Sequence, residues 1–130
     1  MEVLSISTAR QTQCLDITRE IEKVISKTRT EDGLAVVYVP HTTAGITINE
    51  GADPSVQEDF LKSLNQVIPF KGPYQHGEGN SPAHIKTSLI GSSVTVIVEK
   101  GRLVLGTWQS IFFCEFDGPR TRKVFLKIIS

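Results

Sequence analysis

The chain has little to staple it and no excess charge to steer it. Its 130 residues include two cysteines, one methionine, one tryptophan and three histidines. Cys14 and Cys114 lie far apart and form no CxxC arrangement, so a bridge-stapled secreted domain is not expected. Each sits among apolar residues, Leu15 beside one and Phe112 and Phe113 beside the other, and reads as a reduced core thiol. Lys plus Arg is 14 and Asp plus Glu is 14, a balance that argues against duplex binding, which needs a basic surface to displace counterions. No apolar run approaches the ~20 residues of a membrane span. The opening Met1-Glu-Val-Leu-Ser-Ile-Ser alternates, with an acidic second residue, and does not read as a signal peptide. A cytoplasmic location is expected, with neither membrane nor nucleic acid as partner.

What is there is a patterned chain long enough for one real core. Leu4 and Ile6 alternate with serines as a half-buried strand. Ile17, Ile21, Val24 and Ile25 form a helical stripe, with Asp16 placed to cap it. Leu34 to Val39 is a continuous apolar run, expected to be a central strand covered on both faces. Residues 44–49 alternate again. Asp53-Pro54 starts a helix whose expected core stripe is Val56, Phe60, Leu64 and Val67. Pro69 to Pro82 is glycine-rich and irregular, and Ser81-Pro82 opens a short helix that Gly91 ends. Val94, Val96 and Val98 lead through Glu99-Lys-Gly-Arg102 into a predicted long strand over 103–116, where Gly106 marks a bulge or a close backbone approach. Asp117-Gly-Pro119 turns into a last strand over 123–129. The class is α+β, a single domain over 1–130 with a mainly antiparallel sheet and two or three short helices.

The residues able to do chemistry stand at boundaries and in loops. His41 follows a strand, His76 lies in the glycine-rich loop, and His84 is near a helix start. Three imidazoles on one ion would leave positions open for water or substrate, although this spacing is no zinc signature. Glu50 ends a strand. Glu115 stands in an apolar strand, either solvated or partly buried against Arg120 or Arg122. Arg120 leaves the Asp-Gly-Pro turn in a defined direction, suited to bidentate phosphate binding or to a structural pair with Glu115 or Asp117. Trp108 alone is more often core than cofactor platform.

One ordered set of residues carries a resemblance: His41-Thr-Thr-Ala44, Asn49-Glu50, Asp53-Pro54, Asp59, Tyr74-x-His76, Asn80-x-x-x-His84, Gly106-Thr-Trp-Gln109 and Glu115-x-Asp-Gly-Pro-Arg120. Together they resemble the YjbQ-like family, also called the secondary thiamine-phosphate synthase enzyme family, across nearly the whole chain. The resemblance implies a β-sandwich-like core, a homotrimer, and a site built on His41, His76 and His84 as metal ligands or catalytic groups. Glu50 or Glu115 is then the expected general base. Thr42, Asn49, Asn80, Trp108, Gln109 and Arg120 are the expected substrate-binding residues. Three functions follow. One is a transferase joining a pyrimidine diphosphate to a thiazole phosphate. Another is a Zn²⁺-type hydrolase of a small phosphorylated or acyl metabolite. The last is a non-enzymatic, trimeric metal- or ligand-binding protein. Three histidine ligands favour Zn²⁺ or a similar ion over Mg²⁺, which prefers oxygen.

Overall fold

A computed structural model describes residues 1–130, which fold into eight strands and three helices. In chain order these are β1 (Glu2–Ser7), β2 (Gln13–Asp16), α1 (Thr18–Thr28), β3 (Gly33–Tyr38), β4 (Ala44–Glu50) and α2 (Pro54–Val67). Then follow α3 (Ser81–Ile90), β5 (Ser93–Glu99), β6 (Arg102–Leu103), β7 (Gln109–Glu115) and β8 (Thr121–Ile129). They form two antiparallel sheets, one of five strands in the order β1-β8-β3-β5-β6 and one of three in the order β2-β7-β4. The α+β sandwich expected from the sequence is the observed fold.

Period-two alternation builds the interior. Ala35 and Val37 of β3, Val96 and Val98 of β5, and Val124 and Leu126 of β8 point inward from the larger sheet. Ala44 and Ile46 of β4 and Ile111 and Phe113 of β7 meet them from the smaller. Ile21 and Ile25, the stripe of α1, join the same cluster. Burying each large apolar side chain stabilises the fold by about 1.5–3 kcal/mol. The opposite face of the smaller sheet presents Phe112 and Cys114, with Phe116 just beyond β7. These pack with Ala83 and Ile90 of α3 and Phe60, Leu61 and Leu64 of α2. The layers are therefore large sheet, small sheet and a helix pair.

Two features hold α3 in place. Gly91, at φ 99°, ends the helix and its carbonyl accepts the Ile46 N–H at 3.0 Å. Gly45 makes that approach possible, because a Cβ there would lie 2.6 Å from the Gly91 oxygen. From below, the fully buried Lys86 gives its ammonium to Asn65 Oδ1 of α2 and lies 4.2 Å from the Phe70 ring centre. No carboxylate pairs with Lys86, and burial lowers its pKa.

Several sequence expectations change. The run 103–116 is not one strand: it breaks after Leu103 and resumes at Gln109. Gly106 lies in that break, where its N–H bonds Gln109 Oε1 at 2.8 Å. The short β2 was not foreseen, since four residues carry too little alternation to read. Asp16 does not occupy the cap position of α1, which is Ile17, but its Oδ1 accepts the Thr18 N–H at 3.0 Å. Asp53 caps α2 as expected, accepting from Ser55 N–H at 3.0 Å, whereas Val67 is left 76% exposed at the far end of that helix. Strand β3 is covered on one face only. Leu34, Tyr38, Ile97, Ile129 and Val3 all stand exposed on the outer side of the five-stranded sheet. Cross-strand register makes rows of them: Val3 beside Phe125 beside Tyr38, and Ile129 beside Leu34 beside Ile97.

Candidate functional site

The polar end of the sandwich starts with a buried ion pair. Glu115 lies on the inward parity of β7, in step with Ile111 and Phe113, and Arg122 on the inward parity of β8, in step with Val124. Their side chains are 0% and 3% exposed. Arg122 Nε donates to Glu115 Oε1 at 2.9 Å, and its Nη2 to Thr43 Oγ1 at 2.8 Å. Thr8 Oγ1 donates to Glu115 at 2.8 Å and the Asp117 N–H at 3.1 Å. Burial pushes the Glu115 pKa up, but the hydrogen bonds from Arg122, Thr8 and Asp117 outweigh it and hold the group below its ordinary value. Glu115 is thus a buried carboxylate whose oxygens are taken up by Arg122, Thr8 and the Asp117 N–H.

That anchor fixes the turn above it. Asp117 Oδ2 accepts from Asn80 Nδ2 at 2.9 Å and from Arg120 Nη2 at 3.0 Å, while its carbonyl accepts Arg120 Nε at 2.9 Å. Arg120 is therefore tethered in the structural manner, yet its side chain remains 49% exposed. His41, in the segment leaving β3, accepts the Lys123 N–H on Nε2 at 3.0 Å. A nitrogen that accepts cannot also carry a proton, so the neutral ring holds its proton on Nδ1. Burial first, and then the charge of Arg122, lower the His41 pKa. His76 and His84 stack edge to face with ring centres 5.2 Å apart.

Three open clefts meet here. One, of about 370 Å³, is lined by His41, Thr42, His84, Thr87, Ser88, Gly91 and Ser92, with no apolar side chain. A second, of about 250 Å³, is lined by Thr42, Thr43, His76, Glu78, Asn80, His84, Asp117 and Arg120. The third, of about 630 Å³, runs from His76 and His84 to Tyr74 and Ile85. His84 is the wall common to all three. Thr87 Oγ1 and Asn80 Oδ1 are buried beside these clefts without a hydrogen-bond partner.

The three histidines share this region, but no three His, Cys, Asp or Glu side chains are placed to hold one metal ion. His41 fits a ligand role least, because Nε2 is occupied and Nδ1 carries the proton. His76 and His84 form a ring pair, with His41 set apart from them across the first cleft.

Four other expected site residues lie elsewhere. Strands β4 and β7 run antiparallel with Ala44 opposite Glu115 and Glu50 opposite Gln109. Six steps of about 3.3 Å put Asn49, Glu50, Trp108 and Gln109 roughly 20 Å from the histidine end. Trp108 is 64% exposed in a turn, neither core nor wall of the histidine clefts. Glu50 lines a separate cleft between β2 and α2, with Asp16, Asp53 and Gln57. Sequence reasoning gave too little weight to Arg122, Thr8 and Thr43. The available signal was parity, since a charge at an inward position of each of two strands implies a buried pair.

A two-sheet α+β sandwich with a polar, histidine-lined cleft at one end is the class these observations define. The chain belongs to the family described as UPF0047 protein YjbQ-like, which it matches over residues 2–130. It is 51% identical over 130 residues to the UPF0047 protein YugU of Bacillus subtilis, covering 99% of this chain and 98% of that one. A UPF0047 protein of Methanocaldococcus jannaschii is 55% identical over 124 residues, covering 95% and 90%. A YjbQ/UPF0047-family crystal structure from Clostridium acetobutylicum superposes with a TM-score of 0.98 at 56% identity, covering 99% of this chain and all of that one.

Proposed function

We propose that the histidine clefts bind a small phosphorylated metabolite and catalyse its hydrolysis or transfer, with His84 as the proton-transfer group. The observation that carries this reading is the position of His84, the one side chain shared by a hydroxyl-lined cleft, an arginine-lined cleft and an aromatic-edged cleft. Arg120, preset by Asp117, offers its free N–H groups to phosphate oxygens. His41, neutral at physiological pH, supplies a fixed Nδ1–H donor. His84 takes a proton from water or a substrate hydroxyl and returns it to the leaving group. Thr87 and Asn80, whose polar atoms lack partners, add hydrogen-bonding capacity at the cleft margins.

Transfer onto an aromatic-ring acceptor, the thiamine-phosphate-synthase-like reading, is favoured by one feature: Tyr74 borders the cleft shared by His76 and His84. Trp108, one of the expected substrate-binding residues, is at the far end of the sheet. A Zn²⁺ or similar ion would rest on His76 and His84, whose rings meet edge to face at the cleft wall. The homotrimer belongs to the same reading. The bare outer face of the five-stranded sheet, with Tyr38, Leu34, Ile97 and Ile129, is the surface we propose that neighbouring copies cover.

Turnover of a panel of phosphorylated metabolites tests the proposal. General acid–base groups contribute about 10²–10⁴-fold, so His84→Ala should lose that much while keeping its thermal midpoint. Turnover in His84→Ala equal to the parent would remove the histidine from the chemistry. Release of inorganic phosphate against appearance of a coupled two-ring product separates hydrolysis from transfer.

A further inference from the structure

The two cysteines, which the histidine site does not use, are directly opposed across β2 and β7, with Cys14 and Cys114 register partners. Their sulfurs are 3.9 Å apart and both thiols are free. The hydrogen-bond pattern defines the kind of pair. Ile17 N–H bonds the Ile111 carbonyl at 2.9 Å, so the Ile17–Ile111 position, on the same register, is a hydrogen-bonded one. Alternation over the three steps back to Cys14 makes Cys14–Cys114 a non-hydrogen-bonded pair. In such pairs the Cα atoms lie about 4.5 Å apart and the side chains approach most closely. That separation falls inside the range a disulfide spans.

Access is unequal. Cys114 is fully buried beneath α3, whereas Cys14 is half-buried and lines the cleft of about 360 Å³ that runs between β2 and α2. The hydrogen bond shared with Cys14, then burial, push the Cys114 thiol well above its ordinary pKa. An oxidant entering the cleft therefore meets Cys14 first.

We propose that Cys14 and Cys114 form a reversible peroxide-sensitive dithiol, closing to an intramolecular cross-strand disulfide. In the first step the Cys14 sulfur attacks hydrogen peroxide. An S–O bond forms, the O–O bond breaks, and the departing oxygen leaves as water with the thiol proton. In the second, the Cys114 sulfur attacks the Cys14 sulfur. The S–S bond forms, the S–O bond breaks, and the hydroxyl leaves as a second water with the Cys114 proton. Peroxide gains two electrons and the dithiol loses them. The competing account is two thiols packed only as small hydrophobes.

The test treats the full chain with hydrogen peroxide, quenches it, alkylates remaining thiols under denaturing conditions and reads peptide masses. Met1, 75% exposed, takes up oxygen independently and is read on its own peptide. The expected product is monomer-linked Cys14–Cys114, lighter by about two mass units, with no alkylatable thiol, and restored by a thiol reductant. In Cys114→Ser, Cys14 should instead gain about sixteen mass units, the sulfenic acid that has lost its resolving partner. In Cys14→Ser, Cys114 should stay alkylatable after the same exposure. Two alkylatable cysteines in the oxidised parent overturn the proposal, and so do stepwise oxygen gain at both sites or a disulfide only between separate chains.

Discussion

The two ends of the β4–β7 pair carry equally polar sequence but opposite structure. At one end Glu115, Arg122, Thr8 and Thr43 form a buried, saturated network, and the Asp117–Arg120–Asn80 cluster stands on it. At the other, Asn49 and Gln109 bond only neighbouring backbone N–H groups, while Trp108 projects into solvent. The lesson concerns precision. A buried charge pair is costly unless every lone pair is met, and meeting them fixes several loops at once. His41 accepts the N–H of Lys123, one residue beyond Arg122, and inherits that rigidity. The Glu50 end has an open cleft but no comparable scaffold.

The sharpest way to break this contrast is to remove one charge. Glu115→Gln leaves Arg122 buried without its counterion, so the denaturation free energy should fall by about 3–5 kcal/mol. Glu50→Gln at the other end should change it by no more than about 0.5 kcal/mol and leave turnover intact. Equal effects at the two ends would erase the distinction. Next in size is assembly. Ile97→Glu puts a charge in the exposed row, so a chain sedimenting as three copies should dissociate. Wild-type sedimentation at one chain's mass would refute the proposed trimer outright.

The pH dependence separates the ends further. The His41 pKa is depressed, so the unfolded chain binds that proton more readily than the folded one. Its contribution is intact above about pH 6.5 and is lost as pH falls through the lowered value. Glu115, also depressed, follows the same sign in a lower window, below the ordinary carboxylate range. Denaturation midpoints followed downward from about pH 8 should decline in the first window, and His41→Gln should flatten that decline. An unchanged slope in His41→Gln would exclude it as the source. The smallest expected effect is on metal uptake. Zn²⁺ retained after dialysis should drop in His76→Ala and His84→Ala but not in His41→Ala. Loss of a full equivalent in all three would restore the three-histidine ion.

Much of the fold was legible because its signals are local. Leu4 and Ile6, Val94 to Val98 and Val124 to Ile128 announce their strands through period two. Asp53-Pro54 and Ser81-Pro82 mark helix starts through cap chemistry. The misreadings have two causes: a local break or short strand that periodicity does not signal, and a deciding partner that is remote in sequence. The break between Leu103 and Gln109 is sealed by a side chain folding back on Gly106. The bare face of β3 depends on where α1, α2 and α3 settle, and its own residues look the same covered or uncovered.

The sequence by itself determined the class, the inward parity of β1, β4, β5 and β8, and the placing of three histidines at boundaries and in loops, where binding groups are usually found. Tertiary structure alone decided which of those groups share a site. Antiparallel register sent Glu50 and Trp108 to the far end of β7, and a backbone N–H from β8 took the Nε2 of His41. Packing also buried Glu115 against Arg122 and set two cysteines a hundred positions apart face to face. Patterning is short-range, whereas register, burial and tautomer follow from contacts between residues that the chain brings together only by folding.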